Sequence, residues 1–275
     1  MSEPRQPGED LAWNNIRLLD RGAYAIIVID REDKRNAVDR ACRRGLMSAL
    51  DHARGRYPAV VLTGVGQSFC AGIDLKERAA DLEKGDFSAS GEWVDVNVAI
   101  RAHSAVFIAA VNGTALGGGA TLINVCDLAI AADDIQMGMP EMSFATYPAM
   151  AGPSTQLSLS RKRAAWMVLT AERIGARQAL EWGLINRCVA RADLMAEAAA
   201  LAERVAGFDP VALAGAKQAL DQIPAVITDW RQGFAFGELV NAKIQNRRAD
   251  KGNPFANAVA DARRSAQPGG PDAKR

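Results

Sequence analysis

The sequence predicts an α/β fold. Short β-rich runs alternate with longer helical patterns through most of the chain, and after about Arg191 the strands stop and only helices follow. Strands that alternate with helices imply right-handed crossovers. The C-terminal part, from Leu194–Gly207 onward, is rich in Ala, Leu and Glu with apolar residues at helical spacing.

In chain order, residues 1–14 read as a disordered polar tail with two prolines among its first ten residues. Strands are expected at Ala23–Asp30, Ala59–Thr63, Val106–Val111 and Cys126–Ala131, with a weaker one at Asn186–Val189. Helices are expected at Arg40–Ala53, Glu92–Ala105, Gly118–Asn124, Pro153–Leu159, Arg161–Leu169 and Ala176–Trp182. The core domain is assigned to 15–200. A helical region over 201–264 contains Pro210–Gln222 and a long amphipathic stretch, Ile227–Arg247. Residues 265–275, with Pro-Gly-Gly-Pro inside them, read as a second disordered tail.

Composition excludes several classes. Of 275 residues, 49% are hydrophobic and 24% charged, which is ordinary for a globular protein. The formal net charge of +1 supplies no field for nucleic acid or an anionic membrane as partner. Cys42, Cys70, Cys126 and Cys188 lie far apart, so they read as reduced thiols, and no metal site is expected. No run of 18 apolar residues and no signal-peptide pattern occurs, so a soluble cytoplasmic protein is expected.

Three segments carry the chemistry. Gln67–Lys76 follows a strand and contains Ala71-Gly72-Ile73-Asp74-Leu75. It reads either as a turn relieved by Gly72 or as a strand edge with exposed amides, where α/β proteins bind ligands. Asn112–Ala120 runs from strand through Gly117-Gly118-Gly119 into a helix. Either the helix packs closely there, or an oxyanion or phosphate approaches the helix N-terminus. Neither a phosphate-loop lysine nor a dinucleotide glycine spacing is present. Met137–Phe144 sets Glu141 among Met, Pro and Phe. This is either a surface glutamate at a helix start or a carboxyl of raised pKa suited to proton transfer.

Taken together, these segments resemble the enoyl-CoA hydratase/isomerase (crotonase) superfamily. The family's Ala-Gly-x-Asp-Leu/Ile pattern matches Ala71–Leu75, and Asn-Gly-x-x-x-Gly-Gly-Gly matches Asn112–Gly119. Cys126–Ala131, Pro140–Glu141, the passage from Leu169 to Asn186 and Lys34-Arg35-Asn36-Ala37 follow in register, from about Ile16 to Arg247. The resemblance implies a crotonase-like ββα spiral core with a C-terminal all-helical oligomerisation region, in a homotrimer or dimer of trimers. It implies an acyl-CoA substrate, coenzyme A being part of that substrate, with no tightly bound cofactor. It casts the N–H groups of Ile73 and Gly118 as an oxyanion hole and Glu141 as acid/base. Lys34, Arg35 and Ala37 fall at the CoA-contacting turn. Ala71, Gly72, Asp74, Leu75 and Gly117 fall in the binding segments, with Asp74 holding its loop.

The departures matter as much. Thr121 stands where typical hydratases carry a first glutamate, leaving a single carboxylate. That resembles the Δ3,Δ2-enoyl-CoA isomerases or the hydroxycinnamoyl-CoA hydratase-lyases, although Phe234 and Phe236 lie where the latter use a tyrosine. Ala149 replaces the dehalogenase nucleophile, and Tyr147 and Ala149 are expected to line the acyl pocket. A non-catalytic acyl-CoA-binding relative is the alternative of another class. His103 reads as packed or solvated. Trp230, Phe234, Phe236, Leu239 and Val240 supply apolar surface for assembly.

Overall fold

A computed structural model describes residues 8–86, 88–226 and 229–247. In chain order the elements are β1 (Leu11–Trp13), β2 (Ile16–Asp20), β3 (Ala25–Ile29), α1 (Arg40–Ala53), β4 (Ala59–Gly64), β5 (Ser68–Cys70), α2 (Leu75–Glu83), α3 (Ser88–Arg101), β6 (Val106–Val111), β7 (Thr114–Leu116) and α4 (Gly118–Val125). There follow β8 (Leu128–Ala132), β9 (Gln136–Gly138), α5 (Ala151–Ser158), α6 (Arg161–Thr170), β10 (Ile174–Gly175), α7 (Ala176–Trp182), β11 (Arg187–Val189), α8 (Leu194–Ala206), α9 (Pro210–Val226) and α10 (Trp230–Arg247).

The large sheet has the order β1-β2-β3-β4-β6-β8-β11. Its strands from β3 to β11 run parallel, and the β1–β2–β3 edge is antiparallel. β3 and β4 are buried at every residue, as parallel strands covered on both faces must be. α1 turns Cys42, Leu46, Ala49, Leu50 and Ala53 inward, spaced along one helical face, and Asp39 caps it by accepting the Cys42 N–H at 2.8 Å. A smaller sheet has the order β10-β9-β7-β5, in which β5, β7 and β9 are parallel. The chain therefore repeats one unit three times: a strand of the large sheet, a strand of the small sheet, then helix. This is the ββα spiral.

Two expected boundaries move. Leu11–Trp13 is an edge strand paired with Ile16–Leu18, so the tail expected over 1–14 ends before residue 11. The core expected to end at 200 continues, because Ala198 and Ala202 of α8 are wholly buried and belong to one uninterrupted helix. One compact unit runs from Met1 to Gln218 and a second from Ala219 to Arg275. In the second, α10 has no buried residue, and Trp230, Phe234 and Leu239 are exposed. The tail expected at 265–275 lies outside the described residues. No helix among the described residues is long and apolar enough to cross a membrane.

Near the end of the first unit, Lys217 is buried. Its ammonium pairs with Asp127 at 2.8 Å and donates to the carbonyls of Ile100 and Ala105 at 3.2 and 3.0 Å. His103 beside it is packed: its Nδ1 accepts the Ala105 N–H and its Nε2 meets the Leu50 carbonyl. Burial pushes its pKa down to about 4, so the ring is neutral. Lys217→Met would leave Asp127 without its buried partner. It should cost about 3 kcal/mol in urea unfolding, whereas Arg187→Met at the exposed Arg187–Glu197 pair should cost under about 1 kcal/mol.

Candidate active site

Parallel pairing in the small sheet sets the three motif segments side by side. Each of β5, β7 and β9 hands the chain to one of them: Ala71–Asp74, Gly117–Gly118 and Met139–Glu141. Gly117 N–H donates to the Gly138 carbonyl at 2.9 Å, extending the β7–β9 pairing past the strand ends.

The first segment is held from both sides. Val38 N–H donates to Gly72 O at 2.7 Å, and Asp74 N–H donates to Val38 O at 3.1 Å. Successive peptides of an extended chain point opposite ways. With the flanking groups bonded to Val38, the Ile73 N–H turns to the other side. Gly72 has φ +95°, and a Cβ on it would lie 2.8 Å from Leu116 O and 3.1 Å from Gly118 N. The residue must be glycine for the two segments to approach this closely. The Gly72 N–H rests on the buried Cys70 thiol at 3.4 Å.

At the second segment Gly117 has φ +50° and precedes α4. The Gly118 N–H is the first of that helix, so it has no carbonyl of its own helix to bond. The Ile73 and Gly118 amides thus flank one close contact, and the partial charge of the helix end adds to the second.

The third segment is a 3-10 turn, Pro140–Phe144. A Cβ on Gly117 would stand 2.6 Å from Glu141 Oε1, so the carboxylate lies directly against the glycine before α4. Glu141 Oε2 is buried and has no hydrogen-bond partner. Burial raises the Glu141 pKa, and its own backbone N–H offsets part of the rise. Thr121 is buried one turn into α4, and its hydroxyl lies 3.4 Å from Gly117 O. Glu141 and Thr121 therefore both border Gly117.

Lys34, Arg35 and Ala37 form a turn tied to the first segment. Ala71 N–H donates to Arg35 O at 3.0 Å, and Arg35 and Asn36 adopt left-handed φ of 53° and 57°. The Lys34 and Arg35 side chains are exposed, as is Leu75. Asp74 caps α2, accepting from the amides of Lys76 and Glu77 at 2.9 and 3.2 Å, and pairs with Arg31 at 2.7 Å. Tyr147 and Ala149 lie on the exposed stretch after Glu141, and the Tyr147 hydroxyl accepts from Gln156 of α5 at 3.0 Å. Among the described residues no group of three His, Cys, Asp or Glu is arranged to hold a metal ion.

Trp93 belongs to none of the three motif segments. It is wholly buried on α3, and a Cβ on Gly118 would lie 3.3 Å from its ring. The available signal was helical spacing: Trp93, Val96 and Ile100 form the inward stripe of α3. The neighbouring Glu92 is fixed by the buried Arg43 at 2.9 Å, and Arg43 also holds Glu77 of α2 at 2.8 Å.

A triple ββα spiral with two glycine-bearing turns and one half-buried carboxylate beside them defines a class of protein. The family model described as "Enoyl-CoA hydratase/isomerase" matches residues 21–246. A short-chain-enoyl-CoA hydratase of Clostridium acetobutylicum is 31% identical over 245 residues, covering 84% of this chain and 92% of the relative. A hydroxycinnamoyl-CoA hydratase-lyase of Pseudomonas fluorescens is 25% identical over 244 residues, covering 84% of this chain and 87% of the relative. The crystal structure of an enoyl-CoA hydratase from Bacillus anthracis superposes with a TM-score of 0.82 at 28% identity, covering 93% of this chain and 98% of that one. The chain belongs to the enoyl-CoA hydratase/isomerase family, within the crotonase superfamily.

Asp74 provides a test of how the first segment is held. Burial opposes its ionisation, but the Arg31 guanidinium and the Glu77 and Lys76 amides outweigh burial and lower its pKa. A lowered folded-state pKa stabilises above the unfolded value, about 3.9, and that stability is lost as pH falls through the folded pKa. Asp74→Asn should therefore unfold more easily than wild type at pH 7, by about 1–3 kcal/mol. The gap should narrow steadily below about pH 4 in urea titrations run across that range.

Proposed function

We propose that this family member acts on a CoA thioester by stabilising the enolate oxygen with the N–H groups of Ile73 and Gly118, with Glu141 as single acid/base. The observation that carries the reading is the Glu141 carboxyl, buried and unpartnered at Oε2 beside Gly117. The CoA moiety would lie along the Lys34–Ala37 turn, its phosphates near Lys34 and Arg35. The thioester carbonyl would accept from the two amides, which need no reorganisation as charge develops.

In an isomerisation Glu141 would take a proton from C2 of a 3-enoyl thioester, forming the dienolate, and return it to C4. In a hydration it would instead take a proton from water as the oxygen adds to C3 of a 2-enoyl thioester, and then return that proton to C2 of the enolate. Thr121, an alcohol at the place of a second carboxylate, favours reactions that run on one base. A hydratase-lyase of the hydroxycinnamoyl-CoA type is the second reading, supported by the Pseudomonas fluorescens relative and by a hydroxyl at position 121. We further propose a trimer-based assembly covering Trp230, Phe234 and Leu239, for which light scattering should give three or six times 29.3 kDa, not 29.3 kDa itself.

A panel of enoyl-CoA thioesters followed by conjugated absorbance separates the reactions, since hydration removes the absorbance and isomerisation of a 3-enoyl thioester creates it. Glu141→Gln should lower kcat about 10²–10⁴-fold on whichever substrate is turned over. Full activity in that variant would end the assignment, and binding of every thioester without turnover in wild type would indicate a non-catalytic relative. Because burial raises the Glu141 pKa, the acid limb of kcat/KM should lie above the ordinary glutamate range, with the rate rising as pH rises through it.

A further inference from the structure

Arg43, in the first turn of α1, is 1% exposed. Its Nη2 donates to Glu77 Oε1 at 2.8 Å and its Nε to Glu92 Oε2 at 2.9 Å. Both donors belong to one planar guanidinium, which holds them at a fixed spacing. A single cation thus ties one carboxylate of α2 and one of α3 to α1.

Each tie ends beside one donor of the proposed oxyanion hole. On the α2 side, Asp74 follows Ile73 directly and caps the helix, accepting the Glu77 N–H at 3.2 Å. Glu77 Oε2 also accepts the Arg40 N–H at 2.9 Å, so both oxygens of this carboxylate are bonded to α1. On the α3 side, Glu92 precedes Trp93, and a Cβ on Gly118 would stand 3.3 Å from the Trp93 ring. Trp93 is wholly buried, so packing passes any displacement of α3 to the Gly118 main chain. The surrounding charge is acidic. Glu77, Asp81, Asp86 and Glu92 gather about Arg40 and Arg43, with Arg40 at 3.6, 3.0 and 3.6 Å from Asp81, Asp86 and Glu92. Without Arg43 those four carboxylates would share Arg40, and repulsion between Glu77 and Glu92 would part α2 from α3.

We propose that Arg43 is a positioning residue that sets the spacing of the Ile73 and Gly118 amides by tying α2 to α3. It acts through Glu77 and Glu92 and touches no reacting atom. The proposal rests on the oxyanion-hole reading above.

Infrared difference spectra of butyryl-CoA, labelled with ¹³C at the thioester carbonyl, read the two amides directly. The ligand is saturated, so it is neither hydrated nor isomerised, and hydrogen bonds to its carbonyl lower the stretching frequency. Wild type should lower the band on binding, and Arg43→Met should lose about half of that downshift as one donor is misplaced. On the substrate turned over, Arg43→Met should lower kcat about 10²-fold with KM within about threefold of wild type. If Arg43→Met does not fold, Glu92→Ala cuts the α3 tie alone, at a partly exposed residue, and should change the band and kcat in the same direction. Lys217→Met is the control, because it breaks a buried pair where β6 and β8 begin, at the opposite end of the parallel strands from the site. It should keep the full downshift and the wild-type kcat. Variants that keep both, that change KM alone, or that lose no more than Lys217→Met would overturn the positioning role and leave the CoA reading standing. A carbonyl band that wild type leaves at its free-ligand frequency would overturn the oxyanion hole as well.

Discussion

β5, β7 and β9 are three strands of three residues each, and the parallel hydrogen bonding among them is the constraint from which the site follows. Each strand alone is too short to persist. Together they align the chain ends that lead into Ala71, Gly117 and Met139. Two asparagine side chains, Asn36 buried and Asn112 half-buried, lock this alignment. Asn36 donates to the carbonyls of Val65 and Ser68 at 2.9 and 2.7 Å and accepts from Arg31 N–H at 3.0 Å. Asn112 accepts from Gly64 N–H at 3.2 Å and donates to Gly66 O at 2.9 Å, joining the first and second turns of the spiral. Arg191 completes the frame by bonding the Asn112 carbonyl and pairing with Asp134 at 2.8 Å.

The frame explains why the site is built from main chain. At Gly72, Gly117 and Gly118 a Cβ would press on Leu116, Glu141 and Trp93 in turn. Three segments can converge only if their side chains are absent where they meet. What remains at the convergence is amide dipoles and one carboxylate. Amides fixed by a sheet and a helix end do not have to reorient when negative charge appears on a bound oxygen.

The parallel strands of the large sheet, β3 to β11, and most helices were legible in the sequence because burial leaves a continuous record there, whereas the antiparallel edge strands β1 and β2 were not. Val106–Val111 and Arg40–Ala53 carry apolar runs or stripes with clear ends, and their observed bounds agree with the expected ones. The small sheet was not legible. Ser68–Cys70 and Gln136–Gly138 hold too few residues for any periodicity, and their stability comes from partners distant in sequence. The spiral repeat was invisible for the same reason, since it repeats in geometry and not in residues. In the site, Gly117–Gly119 and Pro140–Glu141 were visible as motifs because they break local rules. Trp93 was not, because an inward aromatic on a helix obeys them.

Cys70 adds a consequence for how an acyl group fares in this pocket. Its sulfur lies under the Gly72 amide, wholly buried, and burial pushes the thiol's pKa up to about 12. At neutral pH only about one such thiol in 10⁵ is ionised, and the thiolate is the form that attacks. A sulfur three residues before Ile73, whose amide is proposed to hold the thioester oxygen, is therefore a poor acceptor for acyl exchange. An acyl chain bound as proposed would keep the carrier it came in on.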